Sequence, residues 1–209
     1  MDAQPLERLL EHPAIWRGRS VAHVESLSTG FAALDEALPG QGWPRAGLIE
    51  VLTAQAGCGE LYLLLPLLAA LTQRASARWC AWITPPFEPY APALVTHGVA
   101  LDRVFVARGS SSSWAFEQAL VSGACDVVLG WSLPLRAKDI RRLHLAAGKG
   151  RTLGVLFRSR EAANESSGAM LRLVVEPAEQ GTRVTLLKSR GGHRGSIVLN
   201  LSSPVHGST

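Results

Sequence analysis

Short apolar runs alternate with helix-like segments from residue 48 to residue 157, and that alternation limits the fold more than anything else in the chain. Residues 48–52, 78–84, 103–107, 126–131 and 152–157 read as buried strands. Residues 61–71, 91–97, 114–122 and 137–147 read as the helices between them. A strand followed by a helical crossover pairs with the next strand in parallel and with one hand. The expected class is therefore α/β, a doubly wound and mainly parallel sheet flanked by helices. Two strands at 170–176 and 183–188 follow without a helix between them, which predicts an antiparallel pair at the C-terminal end. Residues 197–201 add one more candidate strand.

Residues 1–27 read as an N-terminal arm, 28–201 as the core and 202–209 as a flexible tail. In the arm, Leu6, Leu9 and Leu10 fit one face of a short helix that stops before Pro13. Ser28 or Thr29 can cap a helix whose apolar positions are Phe31, Leu34 and Leu38. Pro39-Gly40-Gln41-Gly42 ends it.

The chain has 209 residues, of which 47% are hydrophobic and 18% charged, enough for one domain with a sizeable core. The longest apolar run, 61–71, contains Pro66 and is too short to span a bilayer. The first residues lack the basic-then-apolar pattern of a signal peptide. Cys58, Cys80 and Cys125 are odd in number and form no Cys-x-x-Cys pair, so the expectation is a reduced, cytoplasmic setting without structural zinc or other metal. No membrane association and no cofactor are expected.

The segment after the first core strand has the strand–loop–helix order of a phosphate-binding loop. Its chemistry is absent. In register with Gly-x-x-x-x-Gly-Lys-Ser/Thr stand Ala54, four residues that include Gly57, then Gly59, Glu60 and Leu61. A lysine about 4 Å from a phosphate contributes roughly 1–4 kcal/mol of attraction, and a glutamate there reverses the sign. As an anion in the first turn of the following helix, Glu60 can satisfy the free N–H groups itself. An ordinary β-turn-α connection fits the same residues.

Several phrases resemble the RecA-like recombinase core. They are Ser28-Thr29-Gly30-Phe31, Leu34-Asp35 and Leu38, then Gly42 to Val51, Gly98-Val99 with Leu101 to Val104, and Asp126 to Leu129. The resemblance implies a RecA-like fold. It also marks two further losses: Gly130-Trp131-Ser132 where the magnesium-binding Asp belongs, and Pro86 near the catalytic Glu, with Glu88 two residues away. Together these imply a pseudo-ATPase rather than an enzyme. Within that group, His12 to Gly18, Pro39 to Arg45 and Leu187 to Gly192 resemble ImuA, a RecA-related component of bacterial mutagenesis cassettes. This implies a non-catalytic adaptor in SOS-induced translesion DNA synthesis, partnered by an ImuB-like Y-family polymerase homologue, with RecA and single-stranded DNA as further candidates. A second resemblance stands beside it. Ile83-Thr84-Pro85-Pro86 and Val128 to Leu135 are similar to SulA-type division inhibitors, which bind FtsZ. Such chains are shorter and lack a lead-in like 28–51. A divergent, working ATPase is the third alternative.

Two surfaces are candidates for contact. Arg136, Lys138, Arg141, Arg142, Arg158 and Arg160 fall in one basic region, and neutralising phosphates is how a sequence-independent DNA contact would form. A solvated helix face explains the same charges. Lys188, Arg190 and Arg194 form the second. The RecA resemblance implies that Lys188 and Arg190 reach a neighbouring subunit's nucleotide; DNA or solvent is the plainer role. Leu6, Leu9, Ile15 and Trp16 are candidate partner contacts, since aromatic anchors dominate interfaces. Trp79 and Trp82 are expected in the core, and Trp114 is a candidate exposed anchor.

Overall fold

The computed structural model describes residues 25–189 and 195–200. A two-residue strand, β1 (Ser26–Leu27), pairs antiparallel with β2 (Trp43–Pro44), and helix α1 (Ala32–Ala37) lies between them. Asp35 fixes this lead-in by accepting hydrogen bonds from Ser28 Oγ at 2.7 Å and Thr29 N at 2.8 Å. Leu34 and Trp43 are fully buried.

The main sheet alternates with helices as the pattern requires. Its elements in chain order are β3 (Gly47–Thr53), α2 (Leu65–Thr72), β4 (Trp79–Ile83), α3 (Ala91–Thr96), β5 (Val104–Ala107), α4 (Ser112–Val121), β6 (Cys125–Trp131), α5 (Ala137–Gly150), β7 (Leu153–Ser159), β8 (Leu171–Ala178), β9 (Gly181–Ser189) and β10 (Gly195–Leu199). The strand order is β10-β9-β8-β3-β7-β6-β4-β5. From β8 to β5 every pairing is parallel, and β8–β9 and β9–β10 are antiparallel. The sheet is thus mainly parallel with antiparallel strands at its C-terminal side, but the RecA-like fold that the first resemblance implied is not indicated.

Each central strand is buried on both faces, which is why β3 and β6 are apolar almost throughout. Alternation divides the core. Ile49, Val51, Trp82, Leu129, Trp131 and Phe157 face α2 and the lead-in; Leu48, Ala81, Ile83, Val128 and Leu156 face α4 and α5. Helix α5 presents Ile140, Leu143 and Ala147 to the sheet at spacings of three and four.

Two expectations change. The helix expected from residue 61 starts only at Leu65, after a tight 3-10 turn at Tyr62–Leu64. Pro66 in the first turn has no N–H to donate, so a start there costs nothing. Trp79 is 42% exposed rather than buried, because it opens β4 beside the edge strand β5 and packs edge-to-face on Phe105. The arm residues Leu6, Leu9, Ile15 and Trp16, together with Arg190 and Arg194, lie outside the described residues.

A candidate crevice at the carboxyl ends of the strands

In parallel α/β sheets the loops beyond the carboxyl ends of the strands form the natural binding edge. Here three loops meet at that edge. The first leaves β3 after Thr53 and turns at Gly57 and Gly59, whose φ angles of +87° and +100° suit glycine. The second leaves β4 through Thr84, a non-glycine residue at φ +50°. Thr84 Oγ1 donates to the Trp131 carbonyl at 2.9 Å, tying the end of β4 to the end of β6. Arg108 then pins the proline-rich turn by donating to the carbonyls of Pro85 at 2.6 Å and Phe87 at 3.1 Å, and to Glu88 at 2.9 Å. The third loop leaves β6 through Ser132, also left-handed at φ +49°. Thr84 and Ser132 thus place two left-handed non-glycine residues at adjacent strand ends, while Gln41 and Arg151 adopt the same conformation elsewhere.

The loops enclose two adjoining hollows. The larger, about 400 Å³, is walled by Leu61, Leu65, Trp82, Phe87, Tyr90 and Trp131. The smaller, about 190 Å³, is more polar and takes in Thr53, Ala54, Gln55, Arg158 and Ser159. Glu60, Pro86 and Trp131 belong to both. Trp131 is held in place by stacking on Phe157 at 4.6 Å between ring centres.

Glu60 sits at the junction and is only 4% exposed. Its Oε1 accepts a hydrogen bond from Gly57 N at 2.7 Å. Its Oε2 is buried and has no hydrogen-bond partner among the described residues. The expected role for Glu60, capping the next helix, is therefore corrected: the 3-10 turn moves the helix start beyond its reach, and the carboxylate closes its own loop instead. Cys58 lies alongside; burial first, and then the Glu60 charge, raise its thiol pKa above the ordinary value.

The residues of the expected phosphate loop do gather here: Gly57, Gly59 and Leu61 line the larger hollow, Ala54 the smaller, and Glu60 both. The basic residues do not join them as one surface. Arg158 reaches the smaller hollow but is committed to Glu50 and Glu165, each at 2.8 Å. Burial works against its charge, yet the hydrogen bonds to these carboxylates hold its pKa above the usual guanidinium value. Arg160 pairs with Glu176, and Lys188 Nζ donates to the Ser167 carbonyl at 2.7 Å. Arg136, Lys138, Arg141 and Arg142 are exposed at or on α5, across the sheet from the larger hollow, and Arg142 bonds Glu117 at 3.1 Å. Trp114 is 64% exposed. Among the described residues, no three His, Cys, Asp or Glu side chains are grouped to hold a metal ion, and no helix is long and apolar enough to cross a membrane.

Residues 48–154, slightly more than half of the chain and the part that carries the aromatic wall, match the family described as cell division inhibitor SulA. The chain belongs to the SulA family. A cell division inhibitor SulA from Photorhabdus laumondii is 38% identical over 113 residues, covering 53% of this chain and 63% of that protein. One from Edwardsiella piscicida is 38% identical over 122 residues, covering 56% and 71%. The chain thus spans a little under two thirds of the first relative and a little over two thirds of the second. The solved structure of SulA from Pseudomonas aeruginosa is similar at 25% identity and a TM-score of 0.44, over 53% of this chain and 97% of that one.

Membership in the SulA family corrects the first resemblance. The chain is assigned to SulA, not to ImuA or a RecA-like recombinase, and the translesion adaptor and its ImuB-like partner fall with that assignment. The physical reason lies in which residues carried each likeness. The lead-in phrases at 28–51 serve packing and turns, through Asp35, Trp43 and Leu34, so they report a buried scaffold rather than an activity. The phrases Ile83 to Pro86 and Val128 to Leu135, which resembled SulA, bring Pro85, Pro86, Trp131 and Ser132 to the lining of the crevice. The description of the loop at 54–61 as a pseudo-ATPase remnant gains no support from this relationship. The signal that sequence reasoning missed was the Pro85-Pro86-Phe87-Glu88-Pro89 turn between the tryptophan-bearing strands β4 and β6, which walls the larger hollow.

Proposed function

We propose that this protein is a cytoplasmic inhibitor of cell division that binds FtsZ and performs no chemistry of its own. The match of residues 48–154, which build most of the crevice, to the family described as cell division inhibitor SulA is the observation that carries this reading, beside the 38% identity to proteins of that name. The surface chemistry is in keeping with it. Phe87 and Tyr90, 66% and 72% exposed, stand at the rim of an apolar hollow. Exposed aromatic residues around a concave apolar patch favour a protein partner. Arg108 and one oxygen of Glu60 are tied up in hydrogen bonds that fix the loops around the hollow, which suits a binding surface more than a reaction centre.

The test mixes the purified chain with FtsZ and GTP. FtsZ should lose polymer mass in sedimentation and GTP turnover in proportion to added protein, and the two should co-elute. Unchanged FtsZ assembly and no complex at tens of micromolar, a weak-interaction range, would reject the proposal.

A further inference from the structure

We infer that residues 14–17 of the N-terminal arm form one more strand, paired antiparallel with β5 of the same molecule, and close that side of the sheet. The inference goes beyond the function proposed above and stands whether or not the chain binds FtsZ.

The edge itself is the starting point. β5 is the last strand on its side of the sheet and pairs only with β4 among the described residues. Ala107 O accepts from Thr84 N at 2.8 Å, so Ala107 and, two residues back, Phe105 turn their backbone toward β4. Val106 therefore turns both its N–H and its C=O outward, and Val104 its C=O; the Val104 N–H is used by the Leu101 carbonyl. Edges of this kind are commonly guarded by lysine, proline or a bulge. Val104-Phe105-Val106-Ala107 carries none of these. Phe105 and Val106 are each 38% exposed, with Trp79 packed on Phe105. A bare apolar edge is a template for another strand. The opposite edge, β10, already has α1 packed near it.

The place where the described chain begins selects the strand. Glu25 lies at the amino-terminal rim of the sheet. Its carbonyl accepts from Arg45 N at 2.9 Å, and its carboxylate meets Arg151 at 3.7 Å. Arg45 leads into β3, which is four positions from β5, about 19 Å at roughly 4.8 Å per strand. Residues 18–24 can span about 23 Å when extended. That leaves 14–17 to lie along β5. Their carboxyl end is the tethered one, so they run toward the amino-terminal rim, antiparallel to β5.

The side chains suit that register. Pro13 has no N–H to give a ladder, and it falls just past the end of β5. Ile15 exchanges both backbone hydrogen bonds with Val106. Trp16 stands opposite Phe105 in the closer, non-hydrogen-bonded pairing, on the face that carries Trp79. A second copy fits this edge less well. A strand of four residues gives a contact too short for the roughly 800 Å² per partner of a standard interface. A strand joined by a short linker meets its edge at an effective concentration in the millimolar range.

The test is amide hydrogen exchange on the full chain, read residue by residue in nitrogen-15 spectra. The Val106 amide is the reporter, and the Phe105 amide, bonded within the sheet, is the control. Val106 should exchange at least about tenfold more slowly in the unaltered protein than in Ile15→Pro, which loses the N–H that donates to Val106 O. Phe105 should exchange alike in both. Val106 protection should stay constant over about a tenfold range of protein concentration. Val106 exchanging as fast in the unaltered protein as in Ile15→Pro overturns the inference. Protection that rises with concentration also overturns it. Such protection means a second copy on the edge if Ile15→Pro keeps it, and an arm traded between copies if Ile15→Pro loses it. If Ile15→Pro does not fold, Trp16→Cys combined with Phe105→Cys decides. A disulfide within one chain is expected under mild oxidant, since directly opposed residues of such a pair come close enough to be bridged. Free thiols or a linked dimer overturn the inference.

Discussion

Glu50 Oε2 accepts a hydrogen bond from Arg172 Nε at 2.5 Å, between residues opposite each other on neighbouring parallel strands near the middle of the sheet. Glu50 is fully buried, and its other oxygen takes Arg158 Nη1 at 2.8 Å. Arg172 in turn donates to the carbonyls of Ala162 at 2.6 Å and Glu165 at 2.9 Å, so it fastens the turn after β7 to the sheet.

Removing the shared carboxylate should therefore unfold more than one contact. Glu50→Ala leaves two guanidinium groups facing a cavity, and breaking a buried ion pair from one side costs about 3–5 kcal/mol. Urea unfolding should show that loss. A Glu50→Ala midpoint close to that of the unaltered protein would mean that the triad is not held as described.

Asp126 sits at the amino-terminal end of the inner strand β6. It accepts from Arg78 N at 2.8 Å and from Arg45 Nη2 at 2.9 Å, and it is 2% exposed. Burial opposes its charge, but the Arg78 and Arg45 hydrogen bonds and charges outweigh burial and hold its pKa below the ordinary carboxylate value. Its stabilising contribution is thus complete above about pH 3.9, the unfolded value, and is lost as pH falls through the lower folded value. Unfolding midpoints followed below that pH should drop more steeply for the unaltered protein than for Asp126→Asn. Parallel curves would show that this carboxylate is not linked to folding.

The three thiols should separate by reactivity. Burial pushes Cys80 up to about 12 and Cys125 up to about 11, and neither is open to reagent. Cys58 is half-buried, so at about pH 8 the native protein should label there first and at the other two only on unfolding. Glu60→Gln removes the neighbouring charge that raises the Cys58 pKa and should speed that labelling. Slower or unchanged labelling would place the Glu60 carboxylate away from the thiol.

Helix α5 ends against α4 with no room for a side chain. A Cβ at Gly150 would run into the carbonyl oxygen of Leu120. Alanine gains about 1 kcal/mol in helix propensity, yet overpacking costs typically 1–3 kcal/mol. Gly150→Ala is accordingly expected to lower thermal stability, and a rise in melting temperature would contradict the close approach of the two helices.

Much of the fold was legible because two periodicities did not overlap. Residues 126–131 and 48–52 are too short and too rich in β-branched or bulky residues for buried helices, and 137–147 places Ile140, Leu143 and Ala147 at helical spacing. The sheet pairing of 170–176 with 183–188 followed from the missing helix. Longer-range facts were hidden. Glu50 and Arg172 are 122 residues apart, and no local pattern announces their contact. Trp79 read as core because strand position is visible in sequence while place within the sheet is not; only the strand order shows that it neighbours an edge. The partner of Glu60 was hidden because it depends on where the helix begins, which Pro66 and the 3-10 turn decide. The family was read from the longer lead-in rather than from the shorter phrases on the crevice.

Of the two arginine clusters, the one on Asp126 sits apart from the loops at 54–61 and 84–90, while Arg158 of the one on Glu50 borders the smaller hollow from the sheet side. Arg45, Arg78 and Asp126 clasp the amino-terminal rim, and Glu50 holds β7 and β8. The chassis can thus keep its shape while the mouth is rewritten, so swapping in the loops of a distant relative offers a way to retarget this molecule without rebuilding its foundations.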